Sequence, residues 1–216
     1  MKSLNNSTFN ESAYLNRFYN FEQNIGISGR SNDPFNDFHQ KTDATSNTYG
    51  LNILTPGAKL QTENGQIPDF RIVCRDLFNT FLIYHPPYSA LQFLPVFQNL
   101  GKVDPVRMKS FLKNRETRFE LVNNEFLKVV LIHWKPGKVS DIHGHPEGGC
   151  MFKVLQGKLQ EIRYTSDSAQ KITEFNSYRA EDIAYIDDTQ GYHAVGNPFG
   201  SSAVTLHAYT PGDKKL

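Results

Sequence analysis

Two cysteines, one tryptophan and the lack of any long apolar run are the first constraints in this 216-residue sequence. With only Cys74 and Cys150 there is no disulfide framework, and a reducing compartment keeps both as thiols, so each needs its own explanation. No stretch approaches the roughly 20 apolar residues of a membrane-spanning helix, and the opening MKSLNNSTFNESAYLNRFYN lacks an apolar signal core. A cytoplasmic protein with no membrane partner is expected. A strong charge of either sign is missing too: 23 Lys+Arg against 22 Asp+Glu give +1, so bulk charge predicts no nucleic-acid partner. Hydrophobic content of 38% is ordinary for a packed soluble domain, and small-molecule chemistry becomes the default search.

Valine is absent from the first 70 residues, which hold 11 asparagines and the turn-like SGRSNDPFND and TPGAKLQTENGQ. Residues 1–70 are therefore expected to be a loop-rich or partly disordered extension, whose Phe and Tyr leave packing against the main domain open. The main domain is expected over 71–216, with a helical entry. Short helices fit DFRIVCRDLFNTFLIYHPP and YSALQFLPVFQNLG. In DPVRMKSFLKN, Asp104 caps a helix and Pro105 sits in its first turn.

Beyond residue 115 the texture becomes β. EFLKVVLIHW reads as a strand buried on both faces. MFKVLQGKLQEIRY reads as two strands joined in a hairpin at Gln156-Gly157. EDIAYIDD, GYHAVGN and SSAVTLHAYTP add short strands between turns. Strands at this spacing without intervening helices predict a mainly β sandwich or jelly-roll barrel.

If DIHGH enters a strand, the period of two puts His143 and His145 on one face, and His193 in GYHAVGN follows a turn on a later strand. A lone histidine is more often a surface or core residue. A His-x-His pair with a third histidine downstream in a β domain reads as a metal site. Three neutral imidazoles suit Fe, Zn, Cu or Ni and leave positions open for substrate.

The segment GKVSDIHGHPEGGCMFKVLQG matches the first cupin motif: glycine, five residues, His-x-His, a four-residue gap, an acidic position, six residues, glycine. Here Cys150 occupies the acidic position. With KVLQGKLQE following and VTLHAYTP near the end, the sequence from about Arg118 to Pro211 resembles thiol dioxygenases of the cysteine dioxygenase family. The resemblance implies a cupin (double-stranded β-helix) barrel and a mononuclear Fe(II) centre, one ion per chain, held by His143, His145 and His193. The implied reaction adds both atoms of O2 to the sulfur of L-cysteine, giving cysteine sulfinic acid. It further implies a thioether between Cys150 and Tyr209 as a protein-derived cofactor. His207 would hydrogen-bond the tyrosine hydroxyl with Thr205 behind it, and Arg118 would pair with the substrate carboxylate. Alternation independently places Thr205, His207 and Tyr209 on one strand face. L-cysteine and O2 are the implied partners, and a monomer is the expected state.

Two departures stand out. Two residues before the arginine, mammalian-type members carry tyrosine where this chain has Glu116, a residue that would repel a carboxylate if it faced the pocket. The family also generally continues with another hairpin past the Tyr-x-Pro turn, whereas this sequence stops at Leu216. The expectation is that the N-terminal segment replaces that cover or that the pocket is more open. Cys74 is read as a buried small residue, His39, His85 and His133 as structural or exposed, and Trp134 as barrel core. Glu147 does not fit the cupin ligand position. Alternatives from the residues are a dioxygenase of another small thiol, such as 3-mercaptopropionate or cysteamine, and a cupin that binds a metal or small ligand without turnover.

Overall fold

Eight β-strands, three α-helices and two 3₁₀ turns follow one another in the computed structural model, which describes residues 67–113 and 117–213. Residues 1–66, 114–116 and 214–216 lie outside that description, and with them the expectations for the N-terminal extension, His39 and Glu116.

Helix α1 (Phe70–Ile83) starts at Asp69, whose side chain accepts from the Arg71 N–H at 2.9 Å. Phe70, Val73, Cys74, Leu77, Phe78 and Phe81 recur at helical spacing and are buried. A 3₁₀ turn (Ala90–Phe93) runs into α2 (Leu94–Asn99), and α3 (Pro105–Leu112) begins as expected, with Asp104 accepting from Arg107 N–H at 2.7 Å. Phe81 holds the helical layer together, edge-on to Tyr88 at 4.8 Å and near Phe93 and Phe126, each at 5.8 Å.

The strands are β1 (Arg118–Asn123), β2 (Lys128–Trp134), β3 (Cys150–Gln156), β4 (Lys158–Tyr164), β5 (Ile172–Arg179), β6 (Ile183–Ile186), β7 (Tyr192–Gly196) and β8 (Ala203–Tyr209). They form two antiparallel sheets, β1-β2-β8-β3-β6 and β5-β4-β7. This is the jelly-roll barrel of the cupin class. Its core lies between the sheets, where Trp134, Phe152, Val154 and Ala203 of one meet Leu159 and Val195 of the other. Strands β1 and β5 were not anticipated from sequence.

One expectation is corrected. The MFKVLQ and KLQEIRY strands do not form a hairpin: β3 pairs with β8 and β6, so both of its edges are occupied, and β4 belongs to the other sheet. Gly157 therefore turns a corner between sheets. Its φ of +79° and the Ser202 carbonyl oxygen 2.6 Å from where a Cβ would stand both require glycine.

Lys153 on β3 couples the helices to the barrel. Although buried, it donates to the carbonyl oxygens of Phe97, at 3.1 Å, and Leu100 at the end of α2, and it pairs with Glu181 at 3.1 Å. Replacement by methionine keeps the stem but strands two buried carbonyl groups and one carboxylate. Lys153→Met is expected to lose about 2–4 kcal/mol of stability, measured by urea denaturation.

Candidate metal centre

The loop between β2 and β3 runs beside β7 rather than forming the regular strand expected for DIHGH. It touches β7 through isolated bridges at Val139–Gly196 and His143–His193. The second bridge is reciprocal: each residue donates its N–H to the other's carbonyl oxygen at 3.0 Å, which sets the two imidazoles side by side. Gly144 allows the turn between His143 and His145, since a Cβ there would stand 2.8 Å from Tyr192 and 3.2 Å from Asp188. The Asp188 carboxylate also accepts the His145 N–H at 2.9 Å. His143, His145 and His193 thus converge, with candidate ligand atoms all within 4.8 Å of one another.

The free nitrogens can be assigned. His143 Nδ1 lies 2.8 Å from the Asp141 carbonyl oxygen, which only accepts, so this nitrogen carries the proton. His193 Nδ1 lies 2.6 Å from Glu161 Oε1. Burial alone would raise the pKa of Glu161, but hydrogen bonds from His193, Tyr178 and Asn176 and the charge of Arg163 hold it down to about 2, so it is an ionised acceptor. With both rings neutral, as metal ligands must be, both Nε2 atoms present lone pairs, and they face each other at 3.2 Å. Two imidazoles on one ion, with bonds of about 2.0–2.1 Å and right or tetrahedral angles, place their nitrogens about 2.8–3.4 Å apart. The pair is shaped for a shared cation. Burial, then the neighbouring imidazoles, lowers His145 to about 3, and burial first also lowers His143, so both are neutral as metal ligands require. His145 Nδ1 is buried without a hydrogen-bond partner among the described residues.

Glu161 escaped the sequence reading. It is fully buried on the inward face of β4, where its Oε2 accepts from Tyr178 at 2.7 Å, Asn176 at 3.0 Å and Arg163 at 3.1 Å. A carboxylate behind a histidine fixes its tautomer and raises its basicity toward a metal. The available signal was an acidic residue at a core position of a strand, two residues after Leu159.

On the other wall, Cys150 lies directly opposite Tyr209 in the β3–β8 register. The Thr210 N–H bonds the Gly149 carbonyl at 3.2 Å, which makes Cys150–Tyr209 a non-hydrogen-bonded pair, the arrangement with the closer side chains. Burial raises both groups, Cys150 despite its hydrogen bond with Tyr209, and Tyr209 further through the Cys150 charge, so both stay protonated at neutral pH. Thr205, His207 and Tyr209 share a strand face as expected. Trp134 is barrel core, but it also donates Nε1–H to Thr205 Oγ1 at 2.8 Å. His207 Nε2 is 2.8 Å from that same oxygen. Among the described residues the Thr205 hydroxyl has no third partner, so only donation to Nε2 satisfies its own proton. His207, held neutral chiefly by burial, then carries its proton on Nδ1, 3.5 Å from the Tyr209 hydroxyl and 3.9 Å from Cys150 Sγ.

Arg118 begins β1 and is exposed by area, yet its charge acts on Tyr209, Cys150, His143 and His207. Glu147 is exposed and stands outside the three-histidine group; His85 is exposed and His133 half-buried on β2, while Cys74 is buried in α1. No helix among the described residues is long and apolar enough to cross a membrane.

Residues 101–215 match the family model of cysteine dioxygenase type I. Cysteine dioxygenase type 1 of Rattus norvegicus is 35% identical over 95 residues, 41% of this chain and 46% of that protein. The Homo sapiens protein of the same name is 32% identical over 118 residues, 50% of this chain and 58% of that protein. The chain thus spans about half the length of the curated relatives it matches. Among solved structures, an uncharacterized protein with a double-stranded β-helix domain from Klebsiella pneumoniae is similar over 44% of this chain and 76% of its own, at 22% identity and a TM-score of 0.38.

The assigned protonation pattern has a direct readout. In protein labelled with ¹⁵N at histidine, His207 is expected to show a protonated Nδ1 and a bare Nε2, and the reverse pattern would contradict the assignment.

Proposed function

The chain belongs to the cysteine dioxygenase type I family, and from that premise we propose that it oxidises L-cysteine with O2 to cysteine sulfinic acid at an Fe(II) ion held by His143, His145 and His193. The observation that carries this reading is the pair of Nε2 atoms facing each other at 3.2 Å beside a third imidazole. Bound there, iron would bring the substrate sulfur and O2 together and let electrons pass between them. Both oxygen atoms end on the sulfur, so the four electrons sulfur gives up match the four O2 takes, and no separate reductant is required.

The protein's own groups divide the remaining work. Three neutral imidazoles leave the positive charge of the ion uncompensated, which favours a bound thiolate over a thiol at neutral pH. Arg118 supplies a guanidinium for the substrate carboxylate, through charge-assisted and potentially bidentate hydrogen bonds. Tyr209 keeps its proton because it is buried, and His207 Nδ1–H points toward its oxygen, so the phenolic proton is available to oxygen arriving on the substrate sulfur. Thr205 holds His207 in that tautomer.

Cys150 and Tyr209, cross-strand partners on β3 and β8, are the pair that this reading joins by a thioether. The step replaces Cys150 Sγ–H and one ring C–H beside the hydroxyl with an Sγ–C bond, and the two electrons and two protons released pass to O2. L-cysteine and O2 are the only partners this reading requires.

Oxygen uptake and product mass over a panel of thiols test the assignment. Iron-loaded protein is expected to form sulfinate from L-cysteine fastest; strong preference for 3-mercaptopropionate would overturn the role of Arg118, and no sulfinate from any thiol would overturn the activity. Arg118→Ala is expected to raise KM for L-cysteine by about tenfold or more while leaving cysteamine, which has no carboxylate, unaffected. After aerobic turnover the intact protein should weigh two hydrogens less, with Cys150 and Tyr209 recovered in one cross-linked peptide pair.

A further inference from the structure

Arg163 on β4 lies directly opposite His193 in the β4–β7 register, yet among the described residues its hydrogen bonds go to Glu161, Gln190 and Tyr185 and to none of the three histidines. Its guanidinium divides between two structures that each hold a different histidine. Nε donates to Glu161 Oε2 at 3.1 Å, and the other oxygen of Glu161 accepts from His193 Nδ1 at 2.6 Å. Nη1 donates to Gln190 Oε1 at 2.7 Å and Nη2 to the Tyr185 carbonyl oxygen at 3.3 Å. Gln190 closes the 3₁₀ turn Asp188–Gln190, and Asp188 in that turn accepts the His145 N–H at 2.9 Å. The Glu174 carboxylate, 3.6 Å from Nε, is the remaining charged neighbour.

We propose that Arg163 is a positioning residue for the three-histidine centre, a single rigid fork that fixes the Glu161 carboxylate behind His193 and the turn beneath His145 at the same time. The inference rests on the metal-binding reading of that centre and adds a residue that no motif in the chain marks. His143 is already held by its own loop through Asp141 and by the bridge to β7. His145 is the ligand with least support, since its Nδ1 has no partner among the described residues. Its place depends on its backbone, hence on Asp188 and the turn that Arg163 grips. The planar guanidinium suits this task because its donors diverge in a fixed geometry, whereas an ammonium is a point charge that cannot span both arms. Without the fork, Glu161 keeps Tyr178 and Asn176 but loses its counter-charge, the turn loses its hydrogen bond through Gln190, and the Tyr185 carbonyl on β6 loses its donor.

The test reads metal affinity rather than turnover. Zinc(II) binding to the full chain is measured by competition with a chromophoric chelator, with folding of each variant checked by thermal unfolding. Arg163→Met is expected to weaken zinc binding about 10–100-fold. Arg163→Lys, which restores charge beside Glu161 without the second arm, should recover part of that loss. Gln190→Ala removes only the arm to the turn, touches no buried charge, and is expected to weaken binding several-fold. If Gln190→Ala and a folded Arg163→Met bind zinc as tightly as the unaltered protein, the proposal is overturned. If the unaltered protein binds no zinc, the metal-centre reading itself falls, which is a separate and recognisable result.

Discussion

The Nε2 atoms of His143 and His193 stand 3.2 Å apart, and in the neutral form that binds a metal each ring has its one proton engaged on the opposite nitrogen. Two lone pairs so placed repel unless a cation lies between them. Neither ring can turn away. His143 is tied to a carbonyl two residues back in its own loop, His193 to a fully buried carboxylate, and reciprocal backbone bonds join the two residues. The ring orientations are thus set by the protein's own groups, with the Glu161 carboxylate behind His193 and the Asp141 carbonyl behind His143.

Strand β8 builds the opposite wall. It is paired on both edges, with β2 and β3, so its backbone is fixed along its whole length. Its two faces do different work. Val204, Leu206 and Ala208 are buried on one side, where the neighbouring Lys153 fastens β3 to the end of α2. Thr205, His207 and Tyr209 line the other, and every donor in the series from Trp134 onward points toward the pocket. Tryptophan suits the far end of such a series because its indole N–H can only donate.

Legibility in the sequence followed covalent distance. His143 and His145 are two residues apart, so nearly any extended path brings them together, and the cupin spacing then tied Cys150 to the same loop. The face shared by Thr205, His207 and Tyr209 needed only the period of a strand. Interactions between distant strands were not readable. The carboxylate partner of His193 comes from β4 and that carboxylate's own donors include two from β5, which left no clear pattern because most of it is exposed. The Gly157 corner looked like a hairpin because glycine between two apolar runs has the same local chemistry in both cases. Only knowing that both edges of β3 are taken separates them.

The cysteine at position 150 can now be weighed against the carboxylate that cupins usually place there. On the proposed reading, a carboxylate in this nearly sealed position would bring negative charge to a bound ion and reduce its pull on a thiolate. Cys150 stays a neutral thiol beside Tyr209, chiefly because it is buried. The negative charge is not absent from the centre, however. It sits one imidazole farther out, on Glu161, which would act on a bound ion through His193. At that distance it strengthens His193 as a donor and fixes its tautomer without occupying a coordination position. The barrel thereby keeps a carboxylate's stabilising effect on the histidine while leaving the open positions, and most of the positive charge, to whatever enters the pocket.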